Sequence, residues 1–173
     1  MGNTAYGLGL AIILVAAGAL ILSGKFRETS KFDERQRILR YRAYQAAFWV
    51  LVAYTCINSF LSTGAGIAWA DDFTGTFTGV CVAITVFVVI CIRYDAYFAI
   101  NQKPGFYFIL FSVLAVVNLG FGIINVFDDG AEFFTGGLLN FHAMSFIVVA
   151  MFIAILTALA IRRLKAKAQS ETD

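Results

Sequence analysis

Charge of either sign is missing from five long stretches of this chain, and histidine and proline occur once each among its 173 residues. Each scarcity closes off a class of chemistry. His142 has no second histidine or cysteine at ligand spacing, which argues against a metal centre. There is no Walker-type loop, no Gly-x-Ser-x-Gly and no His-Glu-x-x-His, and no nucleophile stands at workable spacing from a base. A non-enzymatic protein is expected, with no catalytic residue, metal or cofactor. Cys56, Cys81 and Cys91 fall inside apolar stretches without Cys-x-x-Cys spacing, so they read as small apolar residues rather than bridges. Pro104, in Asn101-Gln102-Lys103-Pro104-Gly105, marks a short turn. Residues 1–10 hold no Lys or Arg, so the first apolar stretch lacks the positive start of a secretory signal despite the small residues Ala17-Gly18-Ala19. An uncleaved anchor is the expectation.

The remainder is strongly apolar: 60% hydrophobic and 16% aromatic residues, with a mean hydropathy of +0.80. The composition predicts an all-α membrane protein forming a single integral membrane domain over residues 1–173. Five transmembrane helices are predicted, at residues 5–23, 44–61, 73–92, 106–127 and 141–161, each near the length that crosses about 30 Å of hydrocarbon. With these spans all 13 Lys and Arg residues fall on one side, in segments 24–43, 93–105 and 162–173. Segments 62–72 and 128–140 hold Asp71, Asp72, Asp128, Asp129 and Glu132 instead. By the positive-inside rule the N-terminus lies outside and the C-terminus inside. Basic residues thus follow topology, and direct nucleic-acid binding has no independent support.

A twofold pattern runs through the chain. Arg40-Tyr41-Arg42-Ala43-Tyr44 leads into the second span, and Arg93-Tyr94-Asp95-Ala96-Tyr97 leads towards the fourth. Asp71-Asp72 precedes Phe73-Thr74-Gly75, as Asp128-Asp129 precedes Phe134-Thr135-Gly136. One anchor helix followed by two parallel hairpins would produce this, with the hairpins related about the membrane normal. Recurrent aromatic-basic borders and acidic outer loops would produce it as well.

Before the second span, Ser30 followed by Asp33 gives a helix-start pattern, and a helix over about 31–43 is expected to run on into the span. Asp33 and Glu34 can pair with Arg37 on it. Arg35, Arg37, Arg40 and Arg42 would then face anionic lipid of the inner leaflet or a protein partner. In the outer half, Thr55 and Asn58 share one face of the second span and Asn118 and Asn125 one face of the fourth, while Asn140 and His142 enter the fifth at the same depth. They either glue helices together or line a polar pocket. Gly75-x-x-x-Gly79, Ala17-Gly18-Ala19 and Gly120-x-Gly122 permit close helix approach, inside one chain or in a homo-oligomer.

Phe32-Asp33-Glu34-Arg35-Gln36, the Arg-Tyr-Arg-Ala-Tyr that follows, and Tyr94-Asp95-Ala96-Tyr97-Phe98-Ala99-Ile100-Asn101 resemble motifs of small bacterial membrane proteins grouped as domains of unknown function. The resemblance implies a non-enzymatic inner-membrane protein, often encoded beside a helix-turn-helix regulator, with Asp33, Glu34, Arg35 and Asp95 on the motif positions. The leading expectation is a regulatory or partner-binding protein acting through a basic cytoplasmic face built from Asp33–Arg42, Arg93–Asp95 and Arg162–Lys167. A small transporter or transporter subunit using the outer-half polar residues is the alternative.

Overall fold

The computed structural model describes residues 31–100, 104–127 and 132–170. Four of its helices are long and apolar enough to cross a membrane. The first predicted span, residues 5–23, lies outside the described residues, as do Ser30, Lys103, Asp128 and Asp129.

Helix α1 (Glu34–Ser59) passes without a break from the charged segment into the apolar one. Its cap is not Ser30 but Asp33. The Asp33 carboxylate accepts from the Gln36 backbone N–H at 2.6 Å, and the Gln36 side chain accepts in return from the Asp33 N–H at 3.3 Å. This capping box replaces the expected pairing of Asp33 or Glu34 with Arg37; among the described residues neither acid makes an ion pair. At its far end α1 widens into a π-turn, Phe60–Gly64.

Helix α2 (Asp72–Arg93) returns, capped by Asp71, whose side chain accepts from the Thr74 N–H at 2.7 Å and the Thr74 hydroxyl at 3.1 Å. Helix α3 (Pro104–Phe127) crosses again. A two-residue hairpin follows, β1 (Phe134–Thr135) and β2 (Leu138–Leu139), in antiparallel register. Its turn residues Gly136 and Gly137 have φ of 60° and 83°, which a tight turn of this hand requires. A 3-10 turn over Phe141–Ala143 then feeds α4 (Met144–Ser170). The basic segment that follows the fifth predicted span continues the same helix as far as Ser170. Helix α4 carries Arg162, Arg163, Lys165 and Lys167 on its continuing turns, because Leu164, Ala166 and Ala168 are good helix formers.

Two antiparallel hairpins result, α1–α2 and α3–α4, and they meet through α2 and α4. The central pair is flanked by α1 on one side and α3 on the other. Val88 and Ile92 of α2 pack with Phe152, Ile155 and Leu159 of α4, and Phe98 closes this core from the following loop. The outward surfaces of α1 and α3 are apolar: Phe48, Trp49, Ile57, Phe106, Ile109, Val116 and Ile124 are exposed. That is the composition of a surface whose solvent is hydrocarbon.

Small residues set the helix spacing. A Cβ on Gly79 would stand 2.4 Å from the Tyr54 ring, and one on Gly75 3.2 Å from the Asn58 amide. Gly122 faces the Phe146 ring of α4 at 3.0 Å in the same sense. These three glycines serve packing within the chain, whereas Gly120 has open space beside it.

The two hairpins follow the same path, but the matching motifs do not share a conformation. Arg40–Tyr44 is helical, while Arg93 ends α2 and Tyr94–Tyr97 leaves the helix. Phe73-Thr74-Gly75 forms the first turn of α2, while Phe134-Thr135-Gly136 lies in the hairpin.

Candidate functional site

The bundle has a basic end and an acidic end, and the two motifs of the charged segments meet at the basic one. Helix α2 stops there in a left-handed cap: the Ala96 N–H reaches back to the Cys91 carbonyl at 2.8 Å and the Asp95 N–H to that of Ile92 at 3.3 Å. The residue that turns the chain is Asp95, at φ 57°. Glycine usually occupies such a position; aspartate is among the side chains that tolerate it. The turn sends Ala96–Ile100 back across the end of the bundle, with Ala96, Phe98 and Ala99 buried.

Side chains from α1 and α4 then clamp this loop. The Gln36 amide donates to the carbonyls of Asp95 (2.8 Å) and Phe98 (3.1 Å). One Arg40 guanidinium nitrogen donates to those of Tyr97 (3.3 Å) and Ala96 (3.4 Å), while the group lies 4.3 Å from the centre of the Phe32 ring. The Ile100 N–H bonds the Lys31 carbonyl at 3.0 Å. From the other hairpin, Arg162 donates from Nε to an Asp95 carboxylate oxygen at 2.5 Å and stacks over the Phe98 ring at 5.2 Å. Carbonyls left unpaired by the irregular backbone are thereby satisfied by charged or amide donors, the stronger class of partner. Tyr97 lies in this loop against Tyr107 and Phe111. Burial is the main cause that pushes its hydroxyl up to about 12 from 10.0.

The predicted basic-face residues therefore divide. Asp33, Arg40 and Asp95 hold the structure together, while Glu34, Arg35, Arg37, Arg42 and Arg93 are exposed. Gln36 was absent from the predicted site, although Asp33-x-x-Gln36 is a capping pattern legible in the chain.

Beside the clamped loop a cavity of about 850 Å³ lies between the end of α2, the start of α3 and the last turns of α4. Arg93, Arg162, Arg163, Lys165 and Asp95 line it together with Val89, Ile92, Ala158 and Ile161. Arg163 is held over the Phe108 ring of α3 at 4.4 Å.

Several outer-half polar side chains bond to backbone or loop residues near them. Thr55 and Asn118 donate to carbonyls of their own helices, Leu51 and Leu114, both at 2.8 Å. Asn58 accepts from the Trp69 indole N–H at 2.7 Å. Asn125 sits half-buried on α3, across the central helix pair from Asn58. Asn140 organises the loop before α4, donating to the Glu132 carbonyl and the Thr135 hydroxyl and accepting from the His142 backbone N–H at 3.0 Å. The imidazole of His142 lies beside the Phe141 ring. The loops of the two hairpins join here: Leu139 donates to the Trp69 carbonyl at 3.0 Å and accepts from the Asp71 N–H at 2.8 Å.

No family model, curated protein or solved structure matches this chain.

Proposed function

We propose that this chain is a non-enzymatic multi-pass protein of the bacterial inner membrane that binds a protein partner in a regulatory role through its basic end, facing the cytoplasm. The observation that supports this reading is the convergence of α1, the loop after α2 and α4 on one clamped platform. A loop that merely joined two spans would need no clamp from two other helices. Once Asp33, Arg40 and Asp95 are committed to internal bonds, the outward charge is carried by Glu34, Arg35, Arg37 and Arg42 on successive turns of α1. A rigid helix presenting charge of mixed sign fits protein recognition, since a purely lipid-binding face has no use for Glu34.

The orientation follows the positive-inside rule, with residues 5–23 as a fifth span that puts the N-terminus outside. The test is affinity capture after in-cell crosslinking, comparing the wild type with a chain carrying Arg35→Glu, Arg37→Glu and Arg42→Glu. One or more wild-type partners should vanish with the reversed charges and stay with Gln45→Ala, which lies beyond the charged turns. Identical partner sets for the wild type and the charge-reversed chain would remove the reading.

A further inference from the structure

The lining of the cavity at the basic end combines two kinds of side chain. Arg93, Arg162, Arg163 and Lys165 supply cations, and Val89, Ala158 and Ile161 supply aliphatic surface. Among the described residues the one carboxylate there is Asp95, and Arg162 already engages it. Among the described residues no further carboxylate lines the cleft beside Arg93, Arg163 and Lys165, and much of its remaining wall is aliphatic. Its volume of about 850 Å³ falls in the range of about 300–1,000 Å³ typical of ligand sites. Arg163 is already oriented by its stack on Phe108, so less freedom is lost when an anion binds.

We propose that this cleft binds an anionic phospholipid, its phosphate held by Arg93, Arg163 and Lys165 and its acyl chains laid along Val89, Ala158 and Ile161. A small soluble anion would satisfy the cations and leave the aliphatic wall bare; a zwitterionic lipid would cover the wall and bring no net negative charge. An amphiphile with a phosphate head matches both kinds of lining, and basic pockets between membrane helices are recurrent sites for such heads. The inference rests on the reading that this end of the bundle faces an anionic leaflet. It differs from general attraction to that leaflet by placing the headgroup between α2, α3 and α4 rather than along α1.

The experiment uses the full chain, delipidated in detergent and given equimolar phosphatidylglycerol and phosphatidylcholine, with bound lipid read by native mass spectrometry. Arg93→Gln with Arg163→Gln and Lys165→Gln should weaken phosphatidylglycerol retention roughly 100-fold, about fivefold for each cation removed. Arg35→Gln with Arg37→Gln and Arg42→Gln removes the same charge from the same end and should leave retention nearly unchanged. Equal loss in both triples, or none in the first, would overturn the site. Ala158→Leu narrows the aliphatic wall without touching charge and should lower phosphatidylglycerol retention; retention at the wild-type level would also count against the site. Inorganic phosphate should fail to displace the lipid, and displacement at matched concentrations would make the cleft a free-anion site instead. All six substituted cations are exposed, so circular dichroism should show unchanged helix content. Because the measurement is made in detergent, its failure leaves the orientation and the partner untouched, and a reversed orientation in cells would leave this binding measurable.

Discussion

At the scale of single residues, Gly79 faces the Tyr54 ring so closely that an added Cβ would collide with it. The Tyr54 ring cannot swing aside without losing the hydrogen bond from its hydroxyl to the Gly75 carbonyl at 2.9 Å. Gly79→Ala should therefore destabilise the fold by about 1–3 kcal/mol, as overpacking does. Gly120→Ala, with open space beside it, should change stability by less than about 0.5 kcal/mol; graded denaturation in mixed micelles measures both. Tyr97 supplies a pH signature. Its hydroxyl is raised to about 12 in the folded chain from 10.0, so the folded state holds that proton more tightly than the unfolded state does. The resulting stability is fully present below pH 10 and is lost as pH rises through about 12. Tyrosinate absorbance followed with circular dichroism should show the loop loosening in that window, and Tyr97→Phe should weaken the dependence. Asp95 has two roles that substitution separates. Asp95→Gly keeps the left-handed turn and removes the link to Arg162, whereas Asp95→Val removes the link and adds backbone strain of about 1–2 kcal/mol, so it should be the less stable of the two.

At the scale of elements, α1 is one rod that carries both a clamp and a span. An alanine inserted after Gln45 would rotate Gln36 and Arg40 by about 100° away from the loop, while Tyr54 and Gly79 keep their register. Trypsin should then cut after Arg93 faster than in the wild type, with the apolar cores of the helices still protected. Equal cutting rates would show that the clamp does not hold the loop. That four of the apolar runs form long helices was legible in the sequence, because an uncharged apolar run of this length has few other uses. Their continuations were less so. The reading stopped the last span at Ile161, where charge begins, although helix propensity runs on through Leu164 and Ala166. It also placed the start of α1 on Ser30, because two overlapping capping patterns compete there and local chemistry does not choose between them. The Ile100 N–H on the Lys31 carbonyl goes with a non-helical start, and that partner is distant in sequence. For the same reason the meeting of Gln36 and Arg40 with Asp95–Phe98 left no periodic trace in either segment.

At the scale of the molecule, charge lies along one axis. Every Lys and Arg among the described residues gathers at one end, and Asp71, Asp72 and Glu132 stand at the other. Cysteines introduced into a cysteine-free background at Ala65 and at Arg37 should therefore differ: the first reacts with an impermeant thiol reagent from outside intact cells and the second does not. Gln36 is a poor probe for this purpose, since its side chain is engaged with the loop. Labelling of both positions, or of Arg37→Cys alone, would overturn the assignment of the basic end to the cytoplasm. The two hairpins are also tied to one another at both ends, through Arg162 and Asp95 at one and through Leu139 with Trp69 and Asp71 at the other. A pair of bodies pinned at a single end can rock like a hinge; a pair pinned at both cannot swing without breaking a pin. An alternating-access cycle would have to undo the ion pair and the backbone bonds in turn, and each would act as a latch whose strength sets the pace of the stroke. With both latches closed, the two hairpins are held as one strut rather than as two hinged arms.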